Sequence, residues 1–167
     1  SANCALHFGA RIDFVDIDKD YKNIDIDYLE QKLTKAKKIN KLPKLLISVH
    51  FGGQATYQEK IYRLSKKFGF KILEDASHSL GAKRFNQFVG SSKWSDATVF
   101  SFHPIKTITS AEGGMVCTND YSIYEKIKLF RNNGITKNHS EFIKKNEGDW
   151  HYEQICLGHN YHLNEIE

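Results

Sequence analysis

The chain has 167 residues, 40% of them hydrophobic, and a formal net charge of +4. That is room for one domain with a filled core, and the charge is too mild to single out a nucleic-acid partner. No run of about 18 apolar residues is present to cross a membrane, and the start Ser1-Ala2-Asn3-Cys4 has neither the charged nor the apolar region of a signal peptide. Cys4, Cys117 and Cys156 are odd in number and far apart, which fits a reducing cytoplasm better than a disulfide framework.

In chain order, Ile12-Asp13-Phe14-Val15-Asp16 reads as a strand. From Asp25 to Lys38 a helix is expected, with Ile26, Leu29 and Leu33 at helical spacing and Asp27 three residues before Glu30 as a capping box. Lys32, Lys35, Lys37, Lys38, Lys41 and Lys44 gather around Pro43. With no aromatic platform among them, they read as a solvated helix end and loop, not a nucleic-acid patch. Leu45 to Val49 is a continuous apolar run, as in a strand covered on both faces. Tyr57, Ile61, Leu64 and Phe68 mark a helix stopped by Gly69. Strands are expected at Phe70–Leu73, Ala97–Phe102 and Gly114–Thr118. Asp120 can cap a helix with an inner face of Ile123, Ile127 and Phe130, ending near Gly134. The polar stretch from Lys137 to Asp149 reads as a surface loop. The chain opens without Met and ends in Leu163-Asn164-Glu165-Ile166-Glu167, like the opening of a helix. We therefore expect a piece of a longer protein.

Strands alternating with helices across short connections define an α/β architecture with a mostly parallel sheet and helices on both faces. The last two strands follow closely through Gly113-Gly114, so at least one strand is expected to run antiparallel. Ligands of such sheets collect at the carboxyl ends of the strands. That rule selects His50-Phe51-Gly52-Gly53-Gln54, Glu74-Asp75-Ala76-Ser77-His78 and His103-Pro104-Ile105-Lys106, three polar clusters facing one crevice.

Asp75 at a strand end could hold a metal, act as a base, hold a protonated ring nitrogen, or merely cap the next helix. Lys106 differs from an ordinary surface lysine in its setting. It follows an apolar strand and Pro104 and precedes the Thr/Ser-rich run Thr107 to Ser110. Partial desolvation there would lower its pKa and free the amine for Schiff-base chemistry.

The run Phe100-Ser101-Phe102-His103-Pro104-Ile105-Lys106-Thr107-Ile108-Thr109-Ser110-Ala111-Glu112-Gly113-Gly114 resembles the lysine motif of the DegT/StrS family of sugar aminotransferases. Glu74-Asp75-Ala76-Ser77-His78-Ser79-Leu80-Gly81-Ala82 resembles the family's aspartate motif, in the expected order. Val49 to Gln54 and Leu157 to Ile166 match two further loops, so the resemblance runs from Ala2 to Ile166. Lys128-Leu129-Phe130-Arg131-Asn132-Asn133-Gly134-Ile135 and the Gly158–Ile166 ending resemble the subgroup of transaminases that make the 4-amino sugar precursor of pseudaminic acid.

The resemblance implies that residues 1–167 form the central part of the large domain of a fold-type-I transferase dependent on pyridoxal 5′-phosphate (PLP), the upstream segment and C-terminal small domain lying outside it. By itself such a piece is expected to be inactive. It also implies roles. Lys106 is the Schiff-base lysine and proton shuttle. Asp75 pairs with the protonated pyridine nitrogen, and His78 lies near the cofactor's phenolic oxygen. Ser101 bonds the phosphate, and Asn160 reaches the phosphate of the neighbouring subunit's cofactor in a homodimer. The implied substrates are a nucleotide-linked 4-keto deoxy sugar, UDP-linked by preference, and an amino donor, glutamate, in a cytoplasmic pathway to cell-surface glycan; no nucleic acid or membrane is expected as a partner. The chain departs from the family at Asn133, where His is common, and at His162, where Arg is common; both bear on substrate contacts.

Other readings fit less well. Asp16, Asp18, Asp20 and Asp27 have the spacing of a calcium loop but lack Gly at its sixth position and Glu at its twelfth. His151, Cys156, His159 and His162 match no common zinc module. No glycine-rich nucleotide loop occurs. A PLP-dependent sugar dehydratase would carry histidine in place of Lys106, and a non-catalytic cofactor-binding relative would not be expected to keep both Lys106 and Asp75.

Overall fold

The computed structural model describes residues 1–144 and 147–165. The chain divides into two compact units, Ser1–Asn119 and Asp120–Glu167; Ile166 and Glu167, part of the expected closing helix, lie outside the described residues.

The first unit is built on a sheet of four strands, β1 (Leu45–Val49), β2 (Lys71–Asp75), β5 (Ala97–Ser101) and β6 (Gly114–Cys117), adjacent in that order. β1, β2 and β5 are parallel, and β6 returns antiparallel beside β5. The short β3 (Lys83–Arg84) and β4 (Gln87–Phe88) form a separate hairpin. Its two turn residues, Phe85 and Asn86, both have positive φ (46° and 57°), the backbone of a two-residue hairpin turn that follows strand twist.

One face of the sheet is covered by α2 (Ile26–Lys38) and α3 (Gln58–Phe68), whose Leu29, Leu33, Ile61, Leu64 and Phe68 form a buried cluster with Phe70 and Ile72. Each such side chain contributes about 1.5–3 kcal/mol on full burial. α2 is capped by Asp25, which accepts from the Tyr28 N–H at 2.9 Å, and not by the capping box expected at Asp27, which lies inside the helix. α3 starts at Gln58 with Tyr57 as its N-cap and ends at Gly69, whose left-handed φ of 80° closes the helix as expected. α1 (Ala2–His7) buries nothing, and its N-cap Ser1 donates a hydrogen bond to Asp75.

The strand expected at Ile12–Asp16 does not form; only Ile17 pairs, with Ile24, in an isolated bridge. Its aspartates turn their carboxylates onto local amides instead, Asp13 onto Phe14 (2.9 Å) and Asp16 onto Ile17 (2.8 Å). Such bonds compete with a ladder, and this stretch took them. Nor is β1 covered evenly on both faces: Leu45 and Val49 are 47% and 40% exposed.

In the second unit, α4 (Tyr121–Arg131) is capped by Asp120, and β7 (Ile135–Thr136) pairs antiparallel with β8 (Glu153–Gln154). Ile123 and Ile127 are half-buried, whereas Phe130, expected on the inner face, is 46% exposed. Within the expected loop from 137 to 149, His139–Glu141 form a 3-10 turn.

Candidate functional site

Because β1, β2 and β5 run parallel, their carboxyl ends lie along one edge of the sheet. The ladder continues just past them: the His50 N–H donates to the Asp75 carbonyl at 3.0 Å, and the Ala76 N–H to the Val99 carbonyl at 2.8 Å. There a cavity of about 190 Å³ is lined by Val49, His50, Asp75, Ser77, His78 and Lys106. The fold thus brings together three of the residues selected from the sequence, Asp75, His78 and Lys106. Ser101 ends β5; its hydroxyl accepts from the His103 N–H at 3.3 Å and is not part of that lining.

Asp75 is half-buried, and its two oxygens are used differently. Oδ1 is fixed by its own loop, accepting from the Ser77 hydroxyl (2.6 Å) and the Ser77 N–H (3.2 Å), while Oδ2 accepts from the Ser1 hydroxyl. Burial is the largest single influence and pushes the carboxyl up. The Ser1 and Ser77 donors more than offset it, so the group lies below its ordinary value and is ionised at neutral pH. Ser77 went unmarked as a site residue in the sequence, although a serine two residues after an aspartate is a recognisable loop-locking spacing.

Lys106 is half-buried and sits at the end of a tight turn, its N–H donating to the His103 carbonyl at 2.9 Å. The long loop that follows is tied back at its root: the Ser110 N–H and the Thr109 hydroxyl both reach the Phe102 carbonyl, and the Phe102 N–H reaches Gly113. That anchorage keeps the Lys106 turn beside the β2 end. The loop after β1 closes against the loop after β2 at Gly53, where a Cβ would lie 2.8 Å from the His78 carbonyl oxygen.

On the other side of β2, Glu74 is buried (2% exposed) and accepts from Gln58 Nε2 at 2.6 Å and from the Thr98 hydroxyl at 2.8 Å. Burial, again the largest influence, pushes its carboxyl up; the facing His50 and these two donors together bring it below its ordinary value.

In the second unit, Asn160 is exposed and pairs with Asn132 in an antiparallel bridge. Its segment is zipped along the end of α4: His159 N–H to the Phe130 carbonyl (2.7 Å), Asn133 N–H to His159 (2.8 Å), Tyr161 N–H to Arg131 (3.0 Å). The His159 and Tyr161 rings stack with centroids 4.7 Å apart. Of the two departures from the family pattern, Asn133 adopts a left-handed φ of 55°, which asparagine tolerates better than most residues, and His162 Nε2 lies 3.0 Å from Asn132 Oδ1.

A mostly parallel sheet with an acid at one strand end and a half-buried lysine in the turn after the next, on a shared cavity, is the architecture of the fold-type-I PLP-dependent transferases. The chain belongs to the DegT/DnrJ/EryC1/StrS aminotransferase family, whose pattern it matches over residues 1–167. It is 40% identical over 167 residues to a UDP-4-amino-4,6-dideoxy-N-acetyl-beta-L-altrosamine transaminase of Campylobacter jejuni, covering 99% of this chain and 40% of that protein. It superposes on Helicobacter pylori PseC, an aminotransferase involved in the biosynthesis of pseudoaminic acid, with a TM-score of 0.82 and 41% identity over 99% of this chain and 40% of that one. On the PLP-form of Spr1654 from Streptococcus pneumoniae the TM-score is 0.77 at 26% identity, over 99% of this chain and 43% of that one. The chain therefore spans about 40% of the length of the curated relatives it matches.

The residues present fit PLP. An ionised carboxylate with one oxygen locked and the other meeting a donor suits a ring N–H, and a half-buried amine and an imidazole stand on the same cavity wall.

Proposed function

We propose that residues 1–167 are the central part of the PLP-binding domain of an aminotransferase that moves an amino group from glutamate to the 4-keto carbon of a UDP-linked deoxy sugar, for cell-surface glycan synthesis. The observation that carries this reading is the common cavity of Asp75, His78 and Lys106; family membership supports the reaction class, and the names of the similar transaminases support the UDP-linked sugar.

When bound, PLP supplies a carbonyl carbon for an amine and a ring that draws electrons from a carbon losing its proton. Asp75 would pair with the ring nitrogen and favour its protonated form, one of its oxygens being kept in place by Ser77. Lys106 would supply the amine that binds the cofactor's carbonyl carbon and would serve as the group that carries the proton during transfer. His78 supports the phenolic oxygen, and Ser101 bonds the phosphate. Asn160 reaches the phosphate in the neighbouring subunit of a homodimer. The reaction is placed in the cytoplasm; no helix of the described residues is long and apolar enough to cross a membrane.

The test uses the full polypeptide. Its absorbance with PLP should show the Schiff-base band, lost in Lys106→Ala. Incubation with glutamate and a panel of UDP- and dTDP-linked 4-keto sugars should aminate a UDP-linked member. Amination of none of them overturns the substrate class, and a band that survives Lys106→Ala overturns the role of that lysine.

A further inference from the structure

Ser48, Glu74 and Thr98 stand side by side in register on β1, β2 and β5, and all are at most 2% exposed. A row of three buried polar side chains across neighbouring strands is costly unless each is bonded. Gln58 Nε2 and the Thr98 hydroxyl donate to opposite oxygens of Glu74, at 2.6 and 2.8 Å, and the Ser48 hydroxyl donates to that of Thr56 at 3.2 Å. His50, its side chain fully buried, completes the group. The Thr56 N–H donates to its Nδ1 at 3.0 Å, so the ring proton is on Nε2. Nε2 lies 3.8 Å from Glu74 Oε2 and has no hydrogen-bond partner among the described residues. The carboxylate is thus the acceptor that this N–H faces.

The backbone of His50 is tied to Asp75 and to the loop that follows it. Its N–H donates to the Asp75 carbonyl (3.0 Å), and its own carbonyl accepts from the Ser79 hydroxyl (3.4 Å). Glu74 is the residue before Asp75, and alternation along β2 sends their carboxylates to opposite faces of the sheet. We propose that Glu74 and His50 are positioning residues, a buried carboxylate–imidazole brace that fixes the end of β2 and so aims the Asp75 carboxylate into the cavity. The proposal rests on the reading of Asp75 as the partner of the ring nitrogen. It also requires the anion. Two donors bond Glu74 and the His50 N–H faces it at 3.8 Å, whereas an amide at that position offers one acceptor oxygen and adds an N–H of its own.

Two readouts test it in the full polypeptide with Glu74→Gln and His50→Asn, the latter keeping an acceptor near Thr56 but losing the reach to Glu74. In cofactor-free protein, amide hydrogen exchange at His50, Ala76 and Ser79 should quicken by roughly tenfold or more, while Leu46 and Ile47 in the middle of β1 change by less than about threefold. With ¹⁵N-labelled PLP, the ring-nitrogen signal should move toward its unprotonated position in both variants. Unchanged exchange at the three amides, or an equal loss of protection throughout β1 and β2, would reduce the pair to ordinary core polarity and overturn the proposal. So would an unmoved ring-nitrogen signal in a protein that binds PLP. Wild-type protein that takes up no PLP sinks the proposed function instead, and the exchange measurement then still decides whether the brace exists.

Discussion

Gly52 and Gly53 allow the contact between the β1 and β2 loops to be measured against an internal control. Both have left-handed backbone, φ 59° and 86°, so alanine at either is strained. That strain amounts to about 1–2 kcal/mol, and the reduced freedom of the unfolded chain returns about 0.4–1 kcal/mol of it. Gly52→Ala should therefore lose no more than about 1.5 kcal/mol, since its Cβ would meet nothing within 4 Å. At Gly53 the Cβ would lie 2.8 Å from the His78 carbonyl oxygen, a backbone atom that cannot swing aside as a side-chain tip can. The two loops must part by several tenths of an ångström, which adds about 1–3 kcal/mol as overpacking does and carries His78 away from the cavity wall. Urea denaturation of both variants, with unchanged slopes, gives the difference directly, and PLP titration should show weaker binding for Gly53→Ala only. Equal stability of the two variants would refute the close approach as the reason for glycine at 53.

Other contacts yield shorter predictions. Arg84 holds Glu59 through two bonds, 2.8 and 2.9 Å, with both side chains mostly shielded (21% and 16% exposed). The Arg84 hydrogen bond, foremost, lowers the Glu59 carboxyl below its ordinary 4.5. A depressed carboxyl stabilises fully above the unfolded-state value and loses that contribution as pH falls through the folded one. Arg84→Ala should thus cost about 2 kcal/mol at pH 7. In acid the penalty should shrink toward the part due to Arg84 stacking on Tyr57 at 4.3 Å, and a penalty independent of pH would contradict this. Asp120→Ala removes the acceptor for the Ser122 and Ile123 N–H groups. It should cost about 1 kcal/mol, seen as faster exchange in the first turn of α4. Leu33→Ala, at a site 3% exposed, should cost about 2–5 kcal/mol by thermal or urea melting; a loss under 1 kcal/mol would place Leu33 outside the core.

The elements that could be read from the sequence are those whose pattern and boundary agree. Gly69 ends α3 and Asp120 starts α4 because local chemistry decides both, and the apolar run of β1 coincides with the strand to the residue. The strand-end rule found the cavity because it follows from topology and not from side-chain detail. What escaped was decided by partners distant in sequence or by competing local bonds. Ile12 to Asp16 reads as a strand, yet its aspartates satisfy neighbouring amides. The β3–β4 hairpin lacks the usual asparagine-glycine signal, and Arg84 ties it to Glu59, 25 residues away. Glu74 reads as part of an acidic pair beside Asp75, and nothing local reveals that Gln58 and Thr98 bury it.

That acidic pair shows how one strand serves both stability and chemistry. Along the covered face of β2 and its continuation come Ile72, Glu74 and Ala76, at 2%, 2% and 0% exposure. Ile72 belongs to the large apolar cluster under α2 and α3, and Ala76 to a smaller one with Val89 and Phe100. An apolar residue at 74 would join the two clusters and, replaced together with its partners, would hold the fold at least as well, since buried charges repay their desolvation poorly. Stability alone therefore gives no reason for an acid there. Position does: directional bonds to Glu74 fix the strand at one register and height, where apolar packing would allow it to slide, and Asp75 on the other face takes its place from that setting.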